Sequence, residues 1–567
     1  MAIWYVRPNS SHGGTNAGTS YANAFQGWAA LTAAVASISA GDTIYVCGSH
    51  VVNGANMQSV KAGTAGNPIT YRGDYAGDPG VVSQLSAHCF VVAHDYSTVT
   101  QIAFTASASN AIAIQGAGIN DVLIEGNRFH GSSGYEGGLI EFKAVVSTQG
   151  YVDVTIRNNT FTGSQRAGIQ WYPTGAGTYY LTRVSIVDNV FAGLITSNNG
   201  GCVSLRTAVG IGVADCIITD LDVSRNEFTQ CTGLLINVAD YGPSQTPPVR
   251  VDIWSGVRII GNTGSGQMYN TLPVSGRPVG GWHTGGGIVV TGFRGPNGRN
   301  EIAYNNFDGL QGISGGVNCF TGSYWIHNNT LRNIETRSGA VDGNGILVDH
   351  GSHDTLVEQN IVQGAAGSTA QNSGMGLGVI DAKKTLFRAN MCMDVKVGLM
   401  ITDASSYPPY YAVTDQQTDA VGNTFVRCKY QGMLHGAEQS AGFSTVSQNV
   451  FTGTGEAIGT QGTAITSGGY SIWWINKLAP LLAETENTFY NFAFGAWDWG
   501  GGTSGAADSL DVTDSTDDPT VDADGRPHSG SPLIHAGTHT GYRNDITGRL
   551  RHNPPTVGAY EFFDPAA

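Results

Sequence analysis

From Asp121 onward the chain repeats one short pattern of apolar and polar positions. The segments DVLIEGNRF (121–129), DVTIRNNTF (153–161), RVSIVDNVF (183–191) and TVSQNVF (445–451) alternate apolar and polar residues, then place Asn, one residue and Phe. Alternation with a period of two marks a strand with one buried face. LDVSRNEF, EIAYNNF, AVGNTF and AETENTF repeat the pattern, and VRIIGNTG, YWIHNNTL, TLVEQNIV and TLFRANMC are weaker copies. The Asn falls at 127, 159, 189, 226, 262, 305, 329, 360, 390, 423, 449 and 487, at intervals of 24 to 43 residues. Helical repeats hold a much tighter period. The variable spacing predicts constant strands joined by loops of changing length.

A second short strand follows each copy and usually opens with Gly, as in GLIEF, GIQWY, GLLINV, GIVVTG, GILVDH and GLMITD. Strand, Asn turn, strand and loop make one coil of a solenoid. The fold expected is therefore all-β, a right-handed parallel β-helix of about fourteen coils. Coils stacked about 4.8 Å apart bring equivalent side chains into rows. Each Asn amide can then bridge backbone groups and the next Asn, and the Phe rings can stack inside. These residues read as scaffold. Residues 1–42 are expected to hold a first strand and a capping helix from Trp28 to Ser39. Residues 43–502 are the expected β-helix, and 503–567 an irregular C-terminal cap of the same domain.

Composition sharpens this picture. Gly supplies 80 of 567 residues without the strict every-third spacing of collagen, and 41% apolar residues can bury a large core. Only 13% of residues are charged, and the net charge is −15. That acidity argues against nucleic acid and against an anionic membrane surface as partners. No apolar stretch is long enough to span a bilayer, and no signal peptide is visible. Eight Cys without a CxxC pair read as small buried thiols rather than a disulfide framework. Seven Asp between Asp508 and Asp524 lack EF-hand spacing and read as a solvated loop.

Both ends of the chain also resemble something known. WYVRPNSSHGGTNAGTSYANAFQGWAAL, GTAGNPITYRGDYAGDPGVV and GSPLIHAGT…ITGRLRHNPPTVGAYEF are similar to the opening, early-coil and closing segments of the pectate-lyase-like superfamily. The resemblance covers nearly the whole chain and implies a parallel β-helix. Such folds host lyases, hydrolases, epimerases and phage tailspikes, so fold alone does not choose the reaction. The resemblance implies an extended polysaccharide as partner. For a tailspike it also implies a homotrimer with other phage tail proteins, in the virion tail, whereas a secreted enzyme would be extracellular. The alternative is a non-catalytic receptor-binding or structural β-helix.

Candidate chemistry sits where outward residues of neighbouring coils line up. GILVDHGSHD places Asp349 and His350 at a strand end, GLGVIDAKK places Asp381 and then Lys383, and GLMITDASS places Asp403. Counted from Ile346, Leu377 and Leu399, the carboxylates fall three or four positions along. Carboxylates on adjacent coils would lie roughly 5 Å apart. Such closeness raises one pKa and supplies a general acid, unless a cation such as calcium neutralises the row and grips a uronic acid. Lys383 is a candidate lyase base. Glu141, Trp171, Arg206 and Asp240 follow equivalent strands of earlier coils. Tyr241, Tyr407 and Tyr410 lie on proline-containing loops from which their rings could stack on sugars. No metal-ligand set is assigned.

Overall fold

The structure is a computed structural model that describes residues 1–8, 14–86, 88–107, 109–131, 138–143, 148–163, 167–173, 177–194, 201–206, 215–239, 253–266, 286–291, 300–310, 315–334, 344–365, 374–402, 417–429, 431–436, 444–453, 470–474, 482–485, 487–490, 497–499, 518–522, 524–537, 544–552 and 555–561. The chain divides into two compact units, residues 1–281 with 295–297, and residues 282–294 with 298–567. Each is built from coils whose strands pair in parallel with those of the next coil. Right-handed crossovers follow from the strand twist. Each unit is thus a right-handed parallel β-helix.

One coil of the first unit runs Ile119–Glu125, Arg128–Gly131 and Gly138–Phe142, and these strands pair with Thr148–Arg157, Thr160–Thr162 and Ala167–Trp171 of the next. We call the three sheets first, second and third in that order. The repeated Asn sits at the corner between the first and second. Asn159 shows why Asn is needed there. Its Nδ2 donates to the Ile124 carbonyl at 2.9 Å and to Asn189 Oδ1 at 3.1 Å. Its own Oδ1 accepts from the backbone N–H and Nδ2 of Asn127. Rung follows rung from Asn127 to Asn262 in the first unit, and from Asn305 to Asn487 in the second.

Two residues after each Asn except Asn262, which is followed by Gly264, the second sheet turns a side chain into the core. In the first unit these are Phe129, Phe161, Phe191 and Phe228, stacked beneath Phe104 with centroids 4.8–5.2 Å apart and planes within 10° of parallel. In the second unit the same register runs Phe307, Leu331, Val362, Cys392, Phe425 and Phe451. The weaker copies therefore keep the inward position and change only its size. All eight Cys are free and buried, as expected of small apolar thiols.

Glycine opens the third-sheet strands for a steric reason. A Cβ on Gly345 would lie 2.3 Å from Val362 Cγ1 and 2.5 Å from the Gly376 carbonyl, so side chain and next coil leave no room. The rows of Gly reflect packing as much as turning.

At the N-terminus the helix covers only Trp28–Ala33, followed by a 3-10 turn Val35–Ser37, so it is shorter than the expected Trp28–Ser39. Gly27 gives no side-chain cap, and the helix is held by burial of Leu31 and by Trp28 against Tyr71 and Phe90.

The described residues of the C-terminal segment lie along the outer side of the second sheet in the second unit. Ile546, Ala559 and Tyr560 pack on Met391, Met393 and Val426, while Leu533 and Val557 pack on Val450. The reason lies in those outward positions. Equivalent coils of the first unit point Arg128, His130, Thr160 and Thr162 outward, whereas here the outward residues are apolar and need cover. Two matching turns shape the segment. In DADGR and DITGR, the Asp522 and Asp545 carboxylates each accept the backbone N–H groups two and four residues on.

Candidate functional site

The site is set by register. Ile346 pairs with Leu377, and Leu377 with Leu399, as the counted positions required. The strand Ile346–Glu358 begins on the third sheet, turns the corner through Gly351 at φ 74°, and continues on the first sheet. The next coil breaks into Met375–Ile380 and Lys383–Arg388, with Asp381 in the left-handed region at φ 47° in the gap. His350 and Asp381 are thereby brought to the same corner of adjacent coils.

Asp349, His350 and Asp381 form one cluster. His350 Nδ1 lies 2.9 Å from Asp381 Oδ2, and His350 Nε2 lies 3.3 Å from Asp349 Oδ1. The His350 backbone N–H also donates to Asp349 Oδ1 at 2.8 Å. An imidazole bridges the two carboxylates, where the sequence suggested a bare stack of acids. The side chains of His350, Asp349 and Asp381 are only 10, 9 and 7% exposed. Burial alone would push the His350 pKa down, but the Asp381 hydrogen bond and the charges of Asp349 and Asp381 raise it above 6.5. Burial raises the Asp349 pKa, against the opposing pull of the imidazole and its backbone N–H. His350 therefore holds its proton more firmly than a free imidazole, and Asp349 more firmly than a free carboxyl.

Lys383 is half-buried two residues beyond Asp381, in register with His353. Glu141 accepts from Asn110 Nδ2 and pairs with Lys143 at 3.2 Å. Trp171 is corrected outright. It is fully buried, with no partner for its indole N–H among the described residues, so it packs the core and offers no platform to a sugar. The backbone of Arg206 ends the strand Gly201–Arg206, and its side chain lies outside the described set. Asp240, Tyr241, Asp403, Tyr407 and Tyr410 lie outside the described residues.

One row was missed by sequence reasoning. Glu141, Gln170, Ser204 and Asn237 occupy successive coils of the third sheet in register. Among the described residues, Gln170 Oε1 and Ser204 Oγ are buried without a hydrogen-bond partner. Such atoms carry a desolvation penalty of about 1–3 kcal/mol each that a ligand or water relieves. The signal was present as the polar residue between apolar ones in GLIEF, GIQWY, CVSL and LLINV.

Calcium takes 6–8 oxygen ligands. Among the described residues no group of three or more His, Cys, Asp and Glu is arranged to hold a metal ion. Asp349 Oδ1 and Asp381 Oδ2 are already engaged by His350. These residues do not make a calcium site, and no step is derived through one.

No protein-family description matches the chain, and no curated protein matches it. Solved structures do match by shape. A PL6-family alginate lyase is 14% identical at TM-score 0.37, over 100% of this chain and 60% of its own. A PL6-family polysaccharide lyase from Pseudopedobacter saltans is 13% identical at 0.33, over 98% and 100%. A lacto-N-biosidase from Eubacterium ramulus is 12% identical at 0.25, over 88% and 67%. The chain thus spans about three fifths of the first of these proteins. Likeness this slight assigns no activity, and the fold rests on the strand pairing above.

Proposed function

We propose that the protein binds an extended polysaccharide across the third sheet and cleaves it, with Asp349 and His350 as the proton-transferring pair and Asp381 as the residue that positions His350. The observation that carries this reading is the imidazole held between two carboxylates on adjacent coils. Hydrolysis and elimination both require a proton on the departing glycosidic oxygen. His350, whose pKa its neighbours raise above 6.5, keeps its proton to higher pH than a free imidazole and can supply it. The Asp349 carboxylate would take the proton released by the water that attacks the anomeric carbon, or in elimination the C5 proton as the C4=C5 double bond forms, and pass it back to His350.

The low exposure of the cluster favours a second reading, in which it is a buried ion group that fixes the corner of a binding-only β-helix. A tailspike or secreted setting, and a homotrimer, belong to the same proposal. Incubation with capsular, lipopolysaccharide and uronate polymers separates the readings. Cleavage raises reducing ends, and elimination adds near-ultraviolet absorbance from the unsaturated product. Under the proposal, His350→Gln and Asp349→Asn lose at least about a hundredfold in rate. Polymers retained on a column yet never shortened would establish the binding-only reading, and light scattering gives the assembly state.

A further inference from the structure

Outward side chains on the first sheet of the second unit form a group that the cluster above does not use. Trp325 and Tyr304 are 37% and 57% exposed. Trp325 points outward because its neighbours Tyr324 and Ile326 fill the core. Its indole lies on the His327 imidazole, centroids 3.9 Å apart at 25°, and Tyr304 meets that imidazole edge-on at 5.4 Å. The rings are fixed by acids. Trp325 Nε1 donates to Glu358 Oε1 at 2.7 Å, and His327 Nε2 lies 3.2 Å from Glu301 Oε1. Half-buried Leu356 and Leu386 continue outward from Trp325 on the next two coils.

A large ring held in one orientation and left open on the surface is preorganised for a flat apolar partner that carries polar groups on its rim. A pyranose has that shape, with C–H groups on its faces and hydroxyls around its edge. Charge narrows the class. Among the described residues Glu301 and Glu358 border the rings, Arg388 pairs with Glu358 at 2.6 Å, and Lys384 pairs with Asp354 at 3.9 Å. A uronate carboxylate would meet the like charge of Glu301, whereas the hydroxyls of a neutral sugar would meet an acceptor there. We propose that Tyr304, Trp325 and His327, with Glu301 and Glu358, form a stacking subsite for a neutral pyranose residue. The subsite shares a ligand class with the polysaccharide reading but is independent of cleavage.

Calorimetric titration of the full chain with cellohexaose, maltohexaose, xylohexaose and hexamannuronate tests this. At least one neutral hexaose should bind, about tenfold more tightly than the uronate. Trp325→Ala should weaken that binding about tenfold or more, Tyr304→Ala should weaken it less, and Trp325→Phe should keep most of it. Circular dichroism of the variants should match the parent, because both side chains are exposed. Equal affinity in Trp325→Ala, no neutral hexaose bound, or a preference for the uronate overturns the proposal. Conversion of an oligomer to a monomer by Trp325→Ala also overturns it, by making this face an interface between copies. A chain that cleaves nothing yet binds a neutral hexaose through Trp325 sinks the cleavage reading and leaves this one standing.

Discussion

At the scale of single residues, protonation is the property to test. His350 has a folded pKa raised above its unfolded value of 6.5. Its contribution to stability is fully present below pH 6.5 and is lost as pH rises through the raised value. Asp349, also raised, adds a cost of ionisation that grows once pH passes 3.8. Both terms have the same sign, so the thermal midpoint should fall as pH climbs above 6.5. His350→Gln should flatten that fall. It should also cost about 3–5 kcal/mol near neutrality, because Asp349 loses its buried partner. Denaturant titrations at several pH values read both effects, and an unchanged slope would argue against the assignment. The residue before each ladder Asn was invisible to pattern reading. Asn158, Asp188, Arg225, Gln359 and Ala389 all adopt φ between 51° and 57°. That conformation costs a non-Gly residue about 1–2 kcal/mol, and only the stacked corner makes it worthwhile.

At the scale of elements, the C-terminal segment is the one whose placement matters most. It shields Met391, Met393, Val426 and Val450 from water. Ile546→Ala should cost about 2–4 kcal/mol by leaving a gap against the methionines. Ending the chain at residue 517 should expose that apolar row, lower the thermal midpoint and raise binding of a hydrophobic dye. A truncated chain that melts like the parent would show that the segment holds nothing. The resemblance of ITGRLRHNPPTVGAYEF to a closing segment says nothing of where that piece sits. The outward Met in TLFRANMCM carried that information, though a period-two pattern does not say what covers an outer face.

At the scale of each whole unit, stability should behave as a sum of coil energies and neighbour terms. Asn360 donates to the Ile326 and Glu358 carbonyls and to Asn390 Oδ1, and accepts from Asn329. Asn360→Ala should therefore cost about 3–5 kcal/mol, several buried hydrogen bonds at once. Asn360→Ala with Asn390→Ala should be clearly non-additive, because the two share a bond. Asn329→Ala with Asn449→Ala, separated by three rungs, should add within about 0.5 kcal/mol. Urea unfolding of the singles and doubles measures this, and additivity of the adjacent pair would mean that the rungs are not coupled.

The sequence by itself determined the repeating strand, the Asn corner, the inward Phe row and the buried thiols, because each is local and recurs with every coil. Counting from Ile346 and Leu377 put Asp349 and Asp381 on adjacent coils, but the position that faces Asp381 is that of His350. Only the tertiary structure decided that His350 bridges those acids, that Trp171 is core, that Gln170 and Ser204 line up beside Glu141, and that Trp325 stands open between carboxylates. The physical reason is the loop between coils. Its length varies, so residues about thirty positions apart become neighbours only when the coils stack, and the local alternation carries no trace of which partner they will meet.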